Sequence, residues 1–308
     1  MADAPESAER LIKAAALAEG FETVGICAPE TLTVLPHYER WLGEGRHASM
    51  EYMARHVAVK SDPNLILDGV RSVVACAAFY GGTEPPRNGV ARYAQGRDYH
   101  RVLRARMKPV VATIERLFPE GRTRICVDSA PTLDRWWAHR AGLGWFGKNT
   151  MLIDSRRGSF FLIGLVLTDV HLERDAPAIG GCGECRRCVE ACPTGAIQFS
   201  DERWIVDAND CISYHTIENR ADQIPPTHGW TFGCDICQEV CPFNATRESQ
   251  PLRNPLPQIA DLAERREFPG GESMTEQTWD LATRGSATRR ATLPMWRRNA
   301  RAARSERP

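Results

Sequence analysis

Eight of the eleven cysteines lie between residues 182 and 241, and seven of these form two blocks with the spacing of iron–sulfur cluster ligands. The first block has the pattern C-x2-C-x2-C-x3-C-P and comprises Cys182, Cys185, Cys188 and Cys192. In bacterial ferredoxins three thiolates of such a run hold one [4Fe–4S] cluster, and the fourth reaches a second cluster. The second block has the pattern C-x2-C-x3-C-P and comprises Cys234, Cys237 and Cys241. The two blocks together predict two cubane clusters.

The second block lacks one closely spaced cysteine, and Cys211 is the remaining candidate for that ligand. The ferredoxin crossover then predicts that the first cluster is held by Cys182, Cys185, Cys188 and Cys241. It predicts that the second cluster is held by Cys192, Cys211, Cys234 and Cys237. Two structural zinc sites are the alternative, although zinc favours paired C-x2-C knuckles over this run. The other cysteines lie in apolar runs and are expected to be small buried residues: Cys27, Cys76 and Cys126.

Helical and strand-like hydrophobic patterns alternate before the cysteine-rich stretch. Helical spacing covers residues 7–19, 99–117 and 132–141. A proline at position 109 is expected to kink or split the second helix. Apolar runs predict strands at residues 23–27, 72–79, 124–127 and 160–168. This order predicts an α/β or α+β domain whose mixed or parallel sheet is covered by helices.

The change in composition divides the chain into three predicted domains. They are a catalytic α/β domain (1–178), a ferredoxin-like domain for two [4Fe–4S] clusters (179–247) and a basic helical C-terminal segment (248–308). Positive and negative residues number 39 each, which excludes a broadly basic nucleic-acid binder but leaves a local basic face possible. From Arg284 onward eight arginines oppose one acid, so the tail is either a solvated terminus or a phosphate-binding surface. No apolar run is long enough to span a membrane, and the N-terminus lacks a basic signal region, so we expect a cytoplasmic protein.

Two local patterns resemble cofactor-binding motifs but each lacks a required feature. The run Gly142-Leu-Gly144-Trp-Phe-Gly147 fits the dinucleotide-binding pattern, but a helix is predicted before it and a strand after it, the reverse of the required order. We therefore expect a tight loop that positions Lys148 and Asn149. Asp98-Tyr-His100 begins like the cobalamin-ligand pattern D-x-H-x-x-G but lacks its glycine, so these residues are expected to be ordinary surface or loop residues.

Asp128 follows the apolar run at residues 124–127, and two roles remain open for it. The Asp-Ser-Ala-Pro run is typical of a helix entry, and the spacing favours Asp128 as the cap of the helix near Thr132. Alternatively, burial could raise the pKa of Asp128 and keep it protonated near neutral pH, as a proton donor requires.

Five stretches carry motifs of one known family: residues 40–56, 96–100, 127–149, 211–218 and 233–244. The most specific is Val127-Asp-Ser-Ala-Pro131, followed by Ala141-Gly-Leu-Gly-Trp145 and Gly147-Lys-Asn149. In these motifs nearly the whole chain resembles the epoxyqueuosine reductases. Two positions depart from the family pattern: Leu165 stands where glutamate is expected, and Lys60 stands where arginine is usual.

The resemblance implies an enzyme that reduces epoxyqueuosine at the wobble position of a tRNA anticodon to queuosine, the last step of queuosine biosynthesis. It implies cobalamin, held without a histidine ligand and fed by two [4Fe–4S] clusters. Asp128 matches the family's catalytic acid, and the positions matched to cofactor contacts are Lys60, Asp128, Asn149, Ser213 and Asp235.

The expected partners are the tRNA anticodon stem-loop and an external electron donor such as a flavodoxin or ferredoxin, with a monomeric protein. A cobalamin- and iron–sulfur-dependent reductase of small molecules, similar to a dehalogenase, is the alternative. A plain ferredoxin-like electron carrier is a third hypothesis, but it leaves the N-terminal domain and its Val-Asp-Ser-Ala-Pro motif without a role.

Overall fold

A four-stranded sheet forms the centre of the fold. The computed structural model describes residues 6–30, 32–80, 89–248 and 274–304. The strands lie in the order β1 (Thr23–Cys27), β2 (Ser72–Phe79), β6 (Phe161–Thr168) and β3 (Thr123–Cys126). All eight residues of β2 are buried, and Val74 pairs with Ile26 on one side and with Val166 on the other.

The predicted mixed or parallel sheet is wrong, because all three strand pairs are antiparallel. Strands that alternate with helices and read as continuous apolar runs are typical of parallel sheets, which are buried on both faces. Here helices cover both faces of an antiparallel sheet, so its central strands carry the same apolar signal. The α+β class stands, and each strand lies within one residue of its predicted position.

Two helical layers cover the sheet. On one face α1 (Ala8–Ala18) and α5 (Tyr99–Leu117) pack side chains such as Ile12, Leu103 and Met107 against the strands. On the other face α6 (Asp134–Arg140) contributes Trp137. Gly25 lets this helix end approach β1, because a Cβ there would lie 1.8 Å from the carbonyl oxygen of Ala141. The helix α5 is not split at its internal proline.

Three short helices follow β1, namely α2 (Leu35–Gly43), α3 (Glu51–Arg55) and α4 (Val57–Ser61). The loop between α2 and α3 reaches the cysteine-rich region, where the carbonyl oxygen of Gly45 accepts a hydrogen bond from Asn209 Nδ2 over 3.0 Å. Trp41 Nε1 also donates to the carbonyl oxygen of Val206 over 2.8 Å. These contacts join the N-terminal region to the predicted cluster-binding region.

The cysteine-rich region consists of short elements with little apolar core. It contains a hairpin of β7 (Ile197–Ser200) and β8 (Arg203–Val206). Its helices are α7 (Arg187–Ala191), α8 (Ile212–Ile217), α9 (Ile236–Glu239) and α10 (Pro242–Glu248). A parallel bridge between Val90 and Phe232 attaches it to the segment before α5. So small a core leaves bound metal to organise this region.

The C-terminal segment packs on the body of the protein through residues 274–304. It forms the helices Glu276–Thr283 and Leu293–Arg304, and the ring centroids of Trp279 and Trp296 lie 4.9 Å apart within the main core. A solvated terminus is therefore wrong for these residues, while Arg307 and Glu306 lie outside the described ranges. Among the residues that the structure describes, no helix is long and apolar enough to cross a membrane. The three-domain division stays a prediction.

Candidate active site and cluster sites

Four thiols line one small cavity between α7 and α10. The cavity is bordered by Lys148, Asn149, Ile153 and Phe243, and its cysteines are Cys182, Cys185, Cys188 and Cys241. Burial, with a contribution from the nearby thiols of Cys182 and Cys241, raises the pKa of the Cys188 thiol to about 11. This is the set of four that the ferredoxin crossover predicts for the first cluster.

The other four thiols lie near one another. Burial, with a contribution from the nearby thiols of Cys211 and Cys192, raises the pKa of the Cys234 thiol to about 12. Cys237 is affected in the same way by Cys234 and Cys211. Such thiols become ligands only when a bound metal offsets the cost of deprotonating them. The group matches the prediction for the second cluster.

Among the described residues, no group of three or more Cys, His, Asp or Glu side chains is arranged to hold a single metal ion. Four thiolates around one zinc ion at about 2.3 Å would stand about 3.8 Å apart. A cubane binds its ligands at four separate corners, which holds the thiolates farther apart.

The glycine-rich loop serves the cluster region. It connects α6 through β4 (Trp145–Phe146) to β5 (Leu152–Ile153), so a helix precedes the glycines and a strand follows them, as predicted. Lys148 Nζ donates to the carbonyl oxygen of Gly183 over 2.8 Å, and Asn149 Nδ2 donates to that of Cys237 over 3.1 Å. Lys148 thus holds the first cysteine block, and the buried Asn149 holds the second.

Asp128 lies at the centre of a hydrogen-bonded cluster at the start of α5. Its Oδ2 accepts from the Tyr99 hydroxyl over 2.8 Å and lies 2.9 Å from His100 Nε2. On the other side of the imidazole, His100 Nδ1 lies 2.7 Å from Asp98 Oδ1. Asp128 has a φ of 49°, a region that is uncommon for residues other than glycine and that often marks functional sites.

The predicted helix-cap role of Asp128 is wrong. The residue before α6 is Leu133, and no side chain caps that helix. The expected rise in the pKa of Asp128 is also wrong. Burial does raise its pKa, but the hydrogen bonds from His100 and Tyr99 outweigh burial and leave the pKa below its ordinary value. The lowered pKa favours the carboxylate form of Asp128, whose side chain is 45% exposed and lies against the ring of His100.

The C-terminal segment adds a cation to this cluster. Burial lowers the pKa of the Arg290 guanidinium, but Asp128, Tyr99 and Glu218 outweigh burial and raise it above its ordinary value. Arg290 NH1 lies 3.7 Å from Glu218 Oε1, and its side chain is half exposed. Tyr52 of α3 also lies within electrostatic range of Asp128 and is 41% exposed. Residues from three parts of the chain therefore border one open site.

The other predicted cofactor residues lie in α4, in α8 and at the start of α9. Lys60 is buried, donates to the Tyr38 hydroxyl over 3.1 Å, and has its pKa lowered by burial. Ser213 lies in α8, where its backbone N–H supports the thiol of Cys211. Asp235 is buried beside the second cysteine group and accepts from the backbone N–H of Arg92 over 2.7 Å. Burial raises the pKa of Asp235 to about 7.

Packed side chains lie between the second cysteine group and Asp128. Cys234 and Tyr93 both pack against a small buried cluster of Ala91, Ile212 and Trp230. The ring of Tyr93 lies edge-on to that of Tyr99, with centroids 6.0 Å apart, and the Tyr99 hydroxyl donates to Asp128. The second group of thiols therefore lies on the side of the Asp128 site.

Asp98 and His100 are functional candidates that the sequence analysis dismissed as ordinary surface residues. The signal was present, because both lie in the motif at residues 96–100. The run Asp-Tyr-His places three titratable residues at one helix N-terminus. The missing glycine argues only against a metal-ligand motif and not against another function. Leu165, the departure from the family pattern, is fully buried in β6 and pairs with Cys126.

Comparisons with known proteins agree with this geometry. Residues 181–244 match the family described as 4Fe-4S double cluster binding domain, and residues 60–129 match Epoxyqueuosine reductase QueG, DUF1730. The epoxyqueuosine reductase of Synechococcus sp. (strain CC9605) is 41% identical over 307 residues, covering 95% of this chain and 93% of the relative. This chain belongs to the epoxyqueuosine reductase family. Another member, from Leadbetterella byssophila, is 38% identical, and the match covers 94% of this chain and 95% of that relative.

Solved structures of epoxyqueuosine reductases share the fold. One contains a tRNA-Tyr stem loop modified with epoxyqueuosine; it is 25% identical, has a TM-score of 0.80, and covers 96% of this chain and 80% of that chain. The Streptococcus thermophilus enzyme, also 25% identical, has a TM-score of 0.75, and the match covers 95% of this chain and 79% of that chain. A catabolic reductive dehalogenase is 18% identical with a TM-score of 0.51 and a coverage of 96% and 38%, a likeness in fold alone. Membership of the epoxyqueuosine reductase family and the double-cluster domain place iron–sulfur clusters at residues 181–244.

Proposed function

We propose that this protein reduces epoxyqueuosine, at the wobble position of tRNA anticodons, to queuosine. The observation that carries the proposal is the Asp128 site, in which a carboxylate bonded to Tyr99 and His100 lies at the end of a contact path from the second cysteine group. A proton donor and an electron path therefore meet at one open site. This is the pairing that removal of an epoxide oxygen requires.

The clusters are assigned as the crossover rule predicts. The first is held by Cys182, Cys185, Cys188 and Cys241, which line one cavity. The second is held by Cys192, Cys211, Cys234 and Cys237, whose thiols influence one another. The second cluster lies toward Asp128, so the first is the point where electrons enter from an external one-electron donor, such as a flavodoxin or ferredoxin.

Cobalamin fits the donor set of this site. His100, the histidine that contacts Asp128, has both ring nitrogens engaged by carboxylates, so neither of them is free to bind cobalt. The half-exposed ring of Tyr52 and the exposed side of Asp128 border the space beside it. When bound, the corrinoid would collect single electrons from the clusters for two-electron chemistry at carbon.

We assign the corrinoid contacts to residues around this opening. Lys60 and Ser213 are assigned to the two sides of the opening. Asp128 is assigned to proton transfer at the epoxide oxygen. Asp235 and Asn149 are each bonded to backbone near the second cluster, so we assign them to holding the cluster region against the cofactor. Asp128 would hold or pass on a proton at its carboxylate oxygens.

The RNA surface is assigned to the exposed arginines of the C-terminal segment. Arg289, Arg290 and Arg301 are exposed, and Arg290 lies beside Asp128. Arg298 does not belong to this surface, because it is buried and donates to the carbonyl oxygens of His215 and Asn219 over 3.1 and 3.0 Å. A base-modifying enzyme must take its nucleotide out of the anticodon stack, and phosphate contacts would hold the RNA while it does so.

The test compares two substrate classes. Protein reconstituted with clusters and cobalamin is given excess chemical reductant and either tRNA carrying epoxyqueuosine or a small halogenated aromatic compound. Turnover confined to the tRNA is expected. Efficient dehalogenation with no conversion of tRNA would replace the proposal with the small-molecule reductase.

A further inference from the structure

The reduction of an epoxide takes up more protons than one carboxyl group holds. One epoxide, two electrons and two protons give one alkene and one water. The first proton goes to the oxygen when one C–O bond breaks, and the second goes to the same oxygen when the other bond breaks and water leaves. The two electrons come from the external one-electron donor through the clusters. A carboxyl group delivers at most one proton before it must be reprotonated, so a proton source beside Asp128 is required.

The contacts of His100 place a second proton next to Asp128. Its Nε2 lies 2.9 Å from Asp128 Oδ2, and its Nδ1 lies 2.7 Å from Asp98 Oδ1. Each of these contacts needs one proton to be a hydrogen bond. Whether the ring is an imidazolium between two carboxylates or a neutral imidazole beside one carboxylic acid, the array holds two protons in total. One of them stays on the neutral imidazole, so the array gives up one proton at a time and takes up the next from water.

The surrounding structure fixes this array in place. The ring of His100 is stacked on that of Tyr99 with centroids 4.1 Å apart. Asp98 caps α5 through its side chain, which accepts from the backbone N–H of His100 over 3.1 Å. The backbone N–H of Asp98 donates to the carbonyl oxygen of Gly285 over 2.6 Å, so the C-terminal segment holds the outer end of the array.

We propose that His100 is the proton-relay residue of this site: it passes protons one at a time through Asp128 to the leaving oxygen and takes up the second one from water. Asp98 is the positioning residue that holds the imidazole in line. The proposal rests on the proposed function and adds to it the origin of the second proton.

The charges that face His100 favour its protonated form. The hydrogen bond that His100 donates to Asp128 is the largest cause that raises the pKa of His100 above its ordinary value of 6.5; burial opposes it, and Asp98 adds to the rise. Tyr99 donates to Asp128 and stays protonated, since burial raises its pKa. The positive charge of Arg290, which lies near Asp128, acts in the opposite direction and disfavours the protonated form of His100. The imidazolium is therefore present below the raised pKa and is lost as the pH increases through it.

The first measurement needs no cofactor activity. Cluster-loaded protein without cobalamin is labelled with ¹⁵N-histidine, and His100 is assigned by comparison with His100→Gln. Its pKa is expected above 6.5 and is expected to fall in both Asp128→Asn and Asp98→Asn. His37, which lies 3.1 Å from the carboxylate of Asp201 on the outer surface, is the matched histidine–aspartate control and should titrate unchanged in both variants.

The second measurement is the single-turnover rate on epoxyqueuosine tRNA from pH 6 to 9. The parent rate should fall as the pH rises through the pKa of His100, whereas His100→Gln should lack this limb and be slower by about a hundredfold at low pH. His37→Gln should follow the parent. A parent that converts tRNA while His100→Gln keeps its rate and pH profile overturns the relay, as does a His100 pKa at or below 6.5. A parent that fails to convert tRNA overturns the proposed function instead.

Discussion

The hydroxyl of Tyr99 and the imidazole of His100 converge on one oxygen of Asp128, at 2.8 and 2.9 Å. Two donors on the same oxygen favour the carboxylate, which is why the pKa of Asp128 is lowered despite its burial. The carboxylate can act as an acid only if it is supplied with protons, and the neighbour that holds one is His100. The relationship makes Asp128 the delivery point of a proton path and not an isolated buried acid.

The first prediction concerns Asp128→Asn. Asparagine keeps the shape and can still accept from Tyr99, but it cannot pass a proton to an oxygen. Turnover should fall by about a hundredfold or more, while cluster content, cobalamin binding and the thermal midpoint stay at parent values. Conversion is measured with excess chemical reductant, so that electron supply does not limit the rate.

A matched control for this substitution is Asp62→Asn. Asp62 does cap a short helix, because its carboxylate accepts from the backbone N–H of Asn64 over 2.9 Å. Asparagine caps helices about as well as aspartate, so this variant should convert tRNA at the parent rate. Parent turnover in Asp128→Asn as well would remove Asp128 from the proton path.

The second prediction concerns Cys211. Parent protein reconstituted without oxygen should hold about eight iron and eight sulfide, and Cys211→Ser should lose about half of each because one cubane loses a thiolate. The cavity bordered by Lys148 should keep its cluster. Cys76→Ala, which changes a fully buried cysteine of β2 outside both groups, is the control and should keep all the iron. Full iron in Cys211→Ser would show that the ligand assignment is wrong.

The third prediction separates two kinds of arginine in the C-terminal segment. Replacing exposed Arg289 or Arg301 by alanine should lower the slope of log K against log salt for tRNA binding by about 0.7 to 0.9 each, as loss of one phosphate contact does. Replacing buried Arg298 should leave the slope unchanged. It should instead reduce the free energy of unfolding by about 3 kcal/mol, because the carbonyl oxygens of His215, Asn219 and Ala221 lose their charged donor.

Salt titrations of tRNA binding, with chemical denaturation of each variant, check this separation. Equal effects of Arg298→Ala and Arg301→Ala on the slope would mean that the buried arginine also takes part in RNA binding.

The fourth prediction concerns the metal of the corrinoid. The protein should bind cobalamin with no protein nitrogen on cobalt, because both nitrogens of His100 are engaged by Asp98 and Asp128. The EPR spectrum of the cobalt(II) form should lack nitrogen splitting from a protein histidine. Splitting that disappears in protein labelled with ¹⁵N-histidine, and is replaced by the ¹⁵N pattern, would contradict the site as proposed.

The sequence predicts best where chemistry imposes a fixed spacing. The cysteine blocks predicted two groups of four thiols, and the structure brings the same groups together. Apolar runs predicted β1 and β2 to the residue. They did not predict that the strands are antiparallel, because a strand buried on both faces has the same apolar pattern in parallel and antiparallel sheets. For Asp128 the spacing alone favoured a helix cap, and only the family resemblance indicated a catalytic acid, because its partners Tyr99 and His100 lie 29 and 28 residues away in the chain. Arg298 likewise looks like any tail arginine until the fold buries it against carbonyl groups.

The most direct test of the central claim is the mass of the wobble nucleoside after treatment of tRNA. tRNA carrying epoxyqueuosine is incubated with the protein, reductant and cobalamin, digested to nucleosides and analysed by mass spectrometry, with parallel reactions that omit each component. The account predicts that epoxyqueuosine disappears and an equal amount of queuosine, lighter by one oxygen, appears only when clusters, cobalamin and reductant are all present. Unchanged epoxyqueuosine in the presence of protein that holds both clusters and cobalamin would contradict it.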